Sequence, residues 1–159
     1  MKILCKLGWF VSLILAGVIA YGAYVVMVPG HTAPSSDGRT AVLLAEGERD
    51  KVLGEMRVLL ETVQAISENL AAGNVEAVPA LARAAGMAAA AGESPAMMAK
   101  LPLEFKTLGL GTHQAFDDLA DMAAMDPEPL EVLATMSQTM LNCTACHAGY
   151  RLAVEDSTQ

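Results

Sequence analysis

Large side chains are scarce in this chain. Aromatic residues make up 4% of it, and Trp9, Phe10, Tyr21 and Tyr24 all fall in the first 24 positions. That leaves Phe105, Phe116 and Tyr150 for everything that follows. A helical domain with so few bulky residues packs poorly unless something large fills its centre. Cysteine is sparse too. Of the three, Cys143 and Cys146 lie close together and Cys5 stands apart, so no second pair exists for a structural disulfide. Basic residues are outnumbered, 10 against 18 acidic, for a net charge of −8. Such a balance argues against nucleic acid as a partner and suits a basic protein surface. Few β-branched residues interrupt the long periodic segments, which favours helix over strand.

Leu7 to Val28 is a run of twenty-two residues without a charge. At 1.5 Å per residue it spans ~33 Å, enough for a bilayer core. Lys2 and Lys6 precede it, which predicts that the N-terminus stays inside. A cleaved signal peptide is the rival; its apolar core is usually ~7–15 residues and ends at a small-x-small site. The expectation is an uncleaved anchor at 1–28, placing the chain in a bacterial inner membrane as a single-pass protein. The N-terminus would be cytoplasmic and the rest periplasmic. Residues 29–40 (PGHTAPSSDGRT) read as a linker, and 41–159 as one domain.

Within that domain the first helix is expected over about 40–70, with Leu53, Met56, Leu60, Val63 and Leu70 at heptad-like spacing. A second is expected over about 75–91, with Pro79 in its first turn. The third runs from about Pro102 to Met125, with Gly109 and Gly111 inside it suggesting close backbone contact. Asp126-Pro127-Glu128-Pro129 starts the fourth, whose expected core stripe is Leu133, Met136, Met140, Cys143, His147 and Tyr150. Four amphipathic helices with short joints predict an all-α, up-down four-helix bundle behind a single transmembrane helix.

Cys143-Thr144-Ala145-Cys146-His147 carries the chemistry. Two thiols three positions apart with a histidine directly after the second are the attachment pattern of c-type haem. On a helix the three side chains share one side, so each thiol can join a haem vinyl group while the imidazole reaches the iron. A zinc site would need further Cys or His nearby. A thioredoxin-type pair would sit beside a strand at a helix start. Only twelve residues follow His147, so a sixth iron ligand has to come from upstream. His113 on the third helix reads as a surface or haem-edge histidine.

The stretch Cys143 to Arg151, on the last of four helices, resembles the class II c-type cytochromes, the cytochrome c-prime family. The resemblance covers about 40–152, and an N-terminal anchor departs from its usual soluble members. It implies one covalent haem c, with Cys143 and Cys146 as thioether links and His147 as proximal ligand. Arg151 would lie near the imidazole. The first helix would cover the opposite face of the haem. There Met56 is the candidate sixth ligand of the methionine-ligated branch. Leu59, Leu60 and Val63 would line the distal pocket of the open branch. Arg49 is a candidate contact for a haem propionate.

The function expected from this is single-electron transfer in a bacterial respiratory chain by a membrane-tethered cytochrome with redox protein partners. The alternative is a five-coordinate haem protein that binds nitric oxide or carbon monoxide. No catalytic machinery beyond the haem is visible, so the sequence points to a carrier and not an enzyme. The resemblance also implies that a homodimer is available to the chain.

Overall fold

The computed structural model describes residues 2–155, leaving aside the side chains of 2–7 and 25–27. Its helices are α1 (Lys2–Met27), α2 (Glu46–Ala71), α3 (Val78–Ala84), α4 (Met87–Ala90), α5 (Pro95–Lys100), α6 (Leu103–Ala123) and α7 (Pro129–Gly149), with a 3₁₀ turn at Val75–Ala77 before α3. Three strands, β1 (Thr32–Pro34), β2 (Thr40–Leu44) and β3 (Tyr150–Val154), form one sheet in the order β1-β2-β3. The expected all-α four-helix bundle is therefore corrected. Three long helices, a broken connection and a small mixed sheet make the domain.

The membrane span is corrected as well. Among the described residues no helix is long and apolar enough to cross a membrane. The described side chains of α1 run from Gly8 to Tyr24. Every one of them is exposed. The single-pass placement in a bacterial inner membrane, with a cytoplasmic N-terminus and a periplasmic domain, falls with it. The side chains of Lys2 and Lys6, on which the orientation rested, are not among those described.

Residues 29–40, expected as a solvated linker, are docked. The His31 N–H donates to the Lys100 carbonyl at 2.6 Å, and the Leu103 N–H donates to the Val28 carbonyl at 3.0 Å. Gly30 has φ +65°, and a Cβ there would collide with the Leu101–Pro102 backbone, so this corner requires glycine. β1 and β2 pair antiparallel through a tight turn, and β2 pairs parallel with β3, Thr40 opposite Tyr150 and Leu44 opposite Val154. As the central strand, β2 buries Ala41, Val42 and Leu44, the near-continuous apolar run of a strand covered on both faces. The first long helix thus begins at Glu46 and not at Thr40. Glu48 reaches back to accept from the Ala45 N–H at 2.9 Å, half of a capping box.

The helix expected over 75–91 is broken after Ala84. Side chains of α6 hold the break. The His113 Nδ1 lies 2.8 Å from the Ala85 carbonyl, which can only accept, so that nitrogen carries the proton. Asp117 accepts from the Met87 N–H at 2.8 Å and from Arg83 at 2.9 Å. A Cβ at Gly86 would strike that carboxylate.

Two separate buried clusters result. The upper one joins Ile66, Leu70, Val75, Val78, Ala82, Phe116, Leu119, Val132 and Met136 from the C-terminal half of α2, α3, α6 and the first half of α7. The lower one joins Val42, Leu44, Val52, Met97, Leu101 and Phe105, with Met56, Met98, Cys146, Tyr150 and Leu152 packed at its edge.

Candidate functional site

α7 starts cleanly because Pro129 occupies its first turn, where a missing N–H costs nothing. Its buried stripe differs from the expected one. Val132, Met136 and Thr139 are buried, Cys143 and Cys146 are half-buried, and Tyr150 closes the series at the lower core. The seam keeps Met136, Cys143 and Tyr150 from the expected stripe and takes Val132, Thr139 and Cys146 in place of Leu133, Met140 and His147. Leu133 and Met140, expected inside, are 44% and 38% exposed, and His147 is exposed. The reason is spacing: the steps 132, 136, 139, 143, 146 and 150 alternate four and three, as the predicted ones do, but follow the side that faces α6 and the sheet.

The two thiols sit between the two cores on this seam. Burial pushes both up from the ordinary thiol value, and for Cys146 the neighbouring Cys143 adds to the effect. Both therefore stay protonated near neutral pH. Reactive redox thiols have the opposite setting, at a helix N-terminus where the dipole favours the thiolate. These lie in the last turns of α7. Among the described residues no group of three or more His, Cys, Asp and Glu side chains converges to hold a bare metal ion. The chemistry of the donor set instead fits a porphyrin held through carbon. Two half-buried thiols stand one turn apart, and an adjacent imidazole is free to coordinate.

The other expected residues divide. Met56 is half-buried and packs on the same lower cluster as Cys146, so the candidate sixth ligand and one attachment thiol are brought together. Leu59 and Val63 pack instead against the upper core. Leu60 is 68% exposed; it is corrected to a surface residue because the inward face of α2 passes through Val52, Met56, Leu59, Val63, Ile66 and Leu70. Arg49 is tied to its neighbour Asp50, with Nε and Nη2 at 2.9 and 2.6 Å. Arg151 Nη1 donates to Ser35 Oγ at 3.2 Å. Gly109 has open space around a notional Cβ, and at Gly111 the nearest atom is an ordinary 3.7 Å away, so neither marks a close backbone approach.

Sequence reasoning missed several neighbours of the motif. The Tyr150 ring packs edge-on against Phe105, centroids 5.5 Å apart at 89°. Its hydroxyl donates to Glu104 at 2.9 Å. Met97 is buried and Met98 half-buried in the same cluster. Arg39 Nη1 lies 3.3 Å from the His147 carbonyl and 3.3 Å from that of Tyr150. Of these, only the position of Tyr150 after the motif carried a signal in the sequence. No family model matches this chain, and neither a curated protein nor a solved structure matches it.

Proposed function

We propose that the chain is a c-type haem protein of the class II cytochrome type and acts as a one-electron carrier. The observation that carries the reading is the placement of Cys143 and Cys146 between two apolar cores, with the Met56 thioether in the cluster that Cys146 joins. In attachment each thiol adds across one vinyl double bond: the sulfur takes one carbon, the thiol hydrogen goes to the other, and nothing leaves. When bound, haem c supplies a one-electron iron couple. The chain's own residues do the rest. His147 would supply a nitrogen ligand and Met56 a thioether, a ligand that raises the potential relative to a second imidazole. The lower core, with Phe105 and Tyr150 at its edge, excludes water from one side. The acidic surface, net −8 over the chain, favours encounter with basic redox proteins.

The test is the optical spectrum of protein matured in a host with haem-ligation machinery. A reduced spectrum with covalent haem that Cys143→Ala or Cys146→Ala weakens supports the reading. Colourless protein with both thiols free to alkylating reagent overturns it. Met56→Leu should convert a low-spin spectrum to high-spin. Rapid carbon monoxide binding by the unaltered protein would instead favour a gas-binding, five-coordinate iron.

A further inference from the structure

The last turn of α7 holds His147, and a side chain from far earlier in the chain grips it. A helix end leaves its last carbonyls without partners inside the helix. Here the Cys146 carbonyl accepts from the Tyr150 N–H. The His147 and Tyr150 carbonyls both accept from Arg39 Nη1, each at 3.3 Å. The guanidinium is itself fixed. Its Nε and Nη2 donate to Asp37 Oδ2 at 3.0 and 2.7 Å, and the Arg39 N–H donates to Asp37 Oδ1 at 3.1 Å. The turn that carries both closes through the Ser35 N–H and the Arg39 carbonyl at 3.0 Å. Arg151 on β3 reaches the same turn, 3.2 Å from Ser35 Oγ and 3.9 Å from Asp37 Oδ2.

We propose that Arg39 is a positioning residue of this site. Locked by Asp37, it caps the His147 and Tyr150 carbonyls and so fixes the orientation in which the His147 imidazole meets the iron. The inference rests on the haem reading above. The backbone needs such a restraint, because Gly149 stands between His147 and β3 with nothing within 4 Å of a notional Cβ. A planar, permanently charged fork can hold a carboxylate with two nitrogens while a third bridges two carbonyls; an ammonium cannot. A cation at this helix end also complements its dipole. Arg39 and Arg151 against the single charge of Asp37 leave one net positive charge at this turn, which Arg39 brings to the helix end that carries His147; such a charge favours reduced iron.

The test compares Arg39→Gln and Arg39→Lys with the unaltered full chain, before and after haem attachment, with Arg57→Gln as a surface control. In the haem-free chain, amide hydrogen exchange at Ala148, Gly149 and Tyr150 should rise about tenfold in Arg39→Gln. Exchange at Val132–Thr139 in the same helix should not change. In the mature protein Arg39→Gln should lower the reduction potential and alter the electron paramagnetic resonance g values. Arg39→Lys should recover part of the potential but not the g values. Unchanged exchange at the helix end, or an increase spread evenly along α7, overturns the proposal. A coloured Arg39→Gln protein with unaltered potential and g values sinks the Arg39 role alone, whereas a colourless unaltered chain sinks the haem reading whatever Arg39 does.

Discussion

At the upper end of the domain Ile66, Leu70, Val78, Phe116, Leu119 and Val132 interlock, and apart from Ala85 at the break every buried contributor is helical or in the 3₁₀ turn. At the lower end β2, the first turns of α2, α5 and α6, and the residues just after the thiols share a smaller cluster. Polar contacts reinforce it: Lys100 Nζ forms ion pairs 2.7 Å from Glu48 and 3.2 Å from Glu155, and His31 Nδ1 lies 3.3 Å from Glu155. The upper end is a conventional apolar core, sufficient by itself. The lower end, which borders the thiols, relies on strand pairing, polar ties and half-buried methionines. The chemistry is thus assigned to the end that the chain packs less fully.

The largest effect that sharpens this contrast is Phe116→Ala. Phe116 is 1% exposed, so its loss should cost ~3–5 kcal/mol by chemical denaturation, equally with and without haem. Leu44→Ala, in the lower core, should cost ~2–4 kcal/mol in the haem-free chain. There it should also raise amide exchange across β3, which Phe116→Ala should not do selectively. Equal responses of both ends to haem attachment would erase the distinction.

Tyr150→Phe should cost ~1 kcal/mol through the lost bond to Glu104. Burial, aided by Glu104, holds the Tyr150 hydroxyl up at about 12, against 10.0 for an ordinary tyrosine. The folded state thus favours the protonated form. Its contribution is intact below pH 10 and fades as pH rises towards 12. Melting temperatures between pH 9 and 12 should fall more steeply in the unaltered chain than in Tyr150→Phe. The smallest effect is Lys100→Gln, at most ~1 kcal/mol because the pairs are partly solvated. The Lys100 ammonium, with the Ala45 N–H, holds the Glu48 carboxyl below its ordinary value. That stabilisation is present above the usual glutamate range and lost as pH falls, so Lys100→Gln should flatten the acid limb of the stability curve.

Local signals were legible and distant ones were not. The third expected helix differs from α6 by a residue or two at each end, because Pro102 and the apolar spacing of Phe105, Thr112, Phe116 and Leu119 act locally. The spacing of the motif was also plain, and Met56 does lie in the cluster that Cys146 joins. The sheet was not visible. Thr40–Leu44 has the composition of a helix start, and only its pairing with Tyr150–Val154, more than a hundred positions away, makes it a strand. The break at Ala85 depends on His113 and Asp117 from another helix. The side of α7 that faces inward was misjudged at Leu133, Met140 and His147, since a three-four alternation permits two adjacent stripes and tertiary packing chooses between them. The apolar N-terminal run suggested a span, but among the described residues no helix is long and apolar enough to cross a membrane.

The parallel pairing of β2 with β3 also sets an order of events. Thr40 waits for Tyr150, so the clasp around the thiols can close only after nearly all of the chain described here has been made, a closure that is slow because its halves are so remote in sequence. Until then α7 is a helix with an open flank, and Cys143 and Cys146 are within reach of whatever modifies them. On the haem reading proposed above, a topology that leaves its far ends to meet last would give attachment at these thiols an interval before the sheet forms.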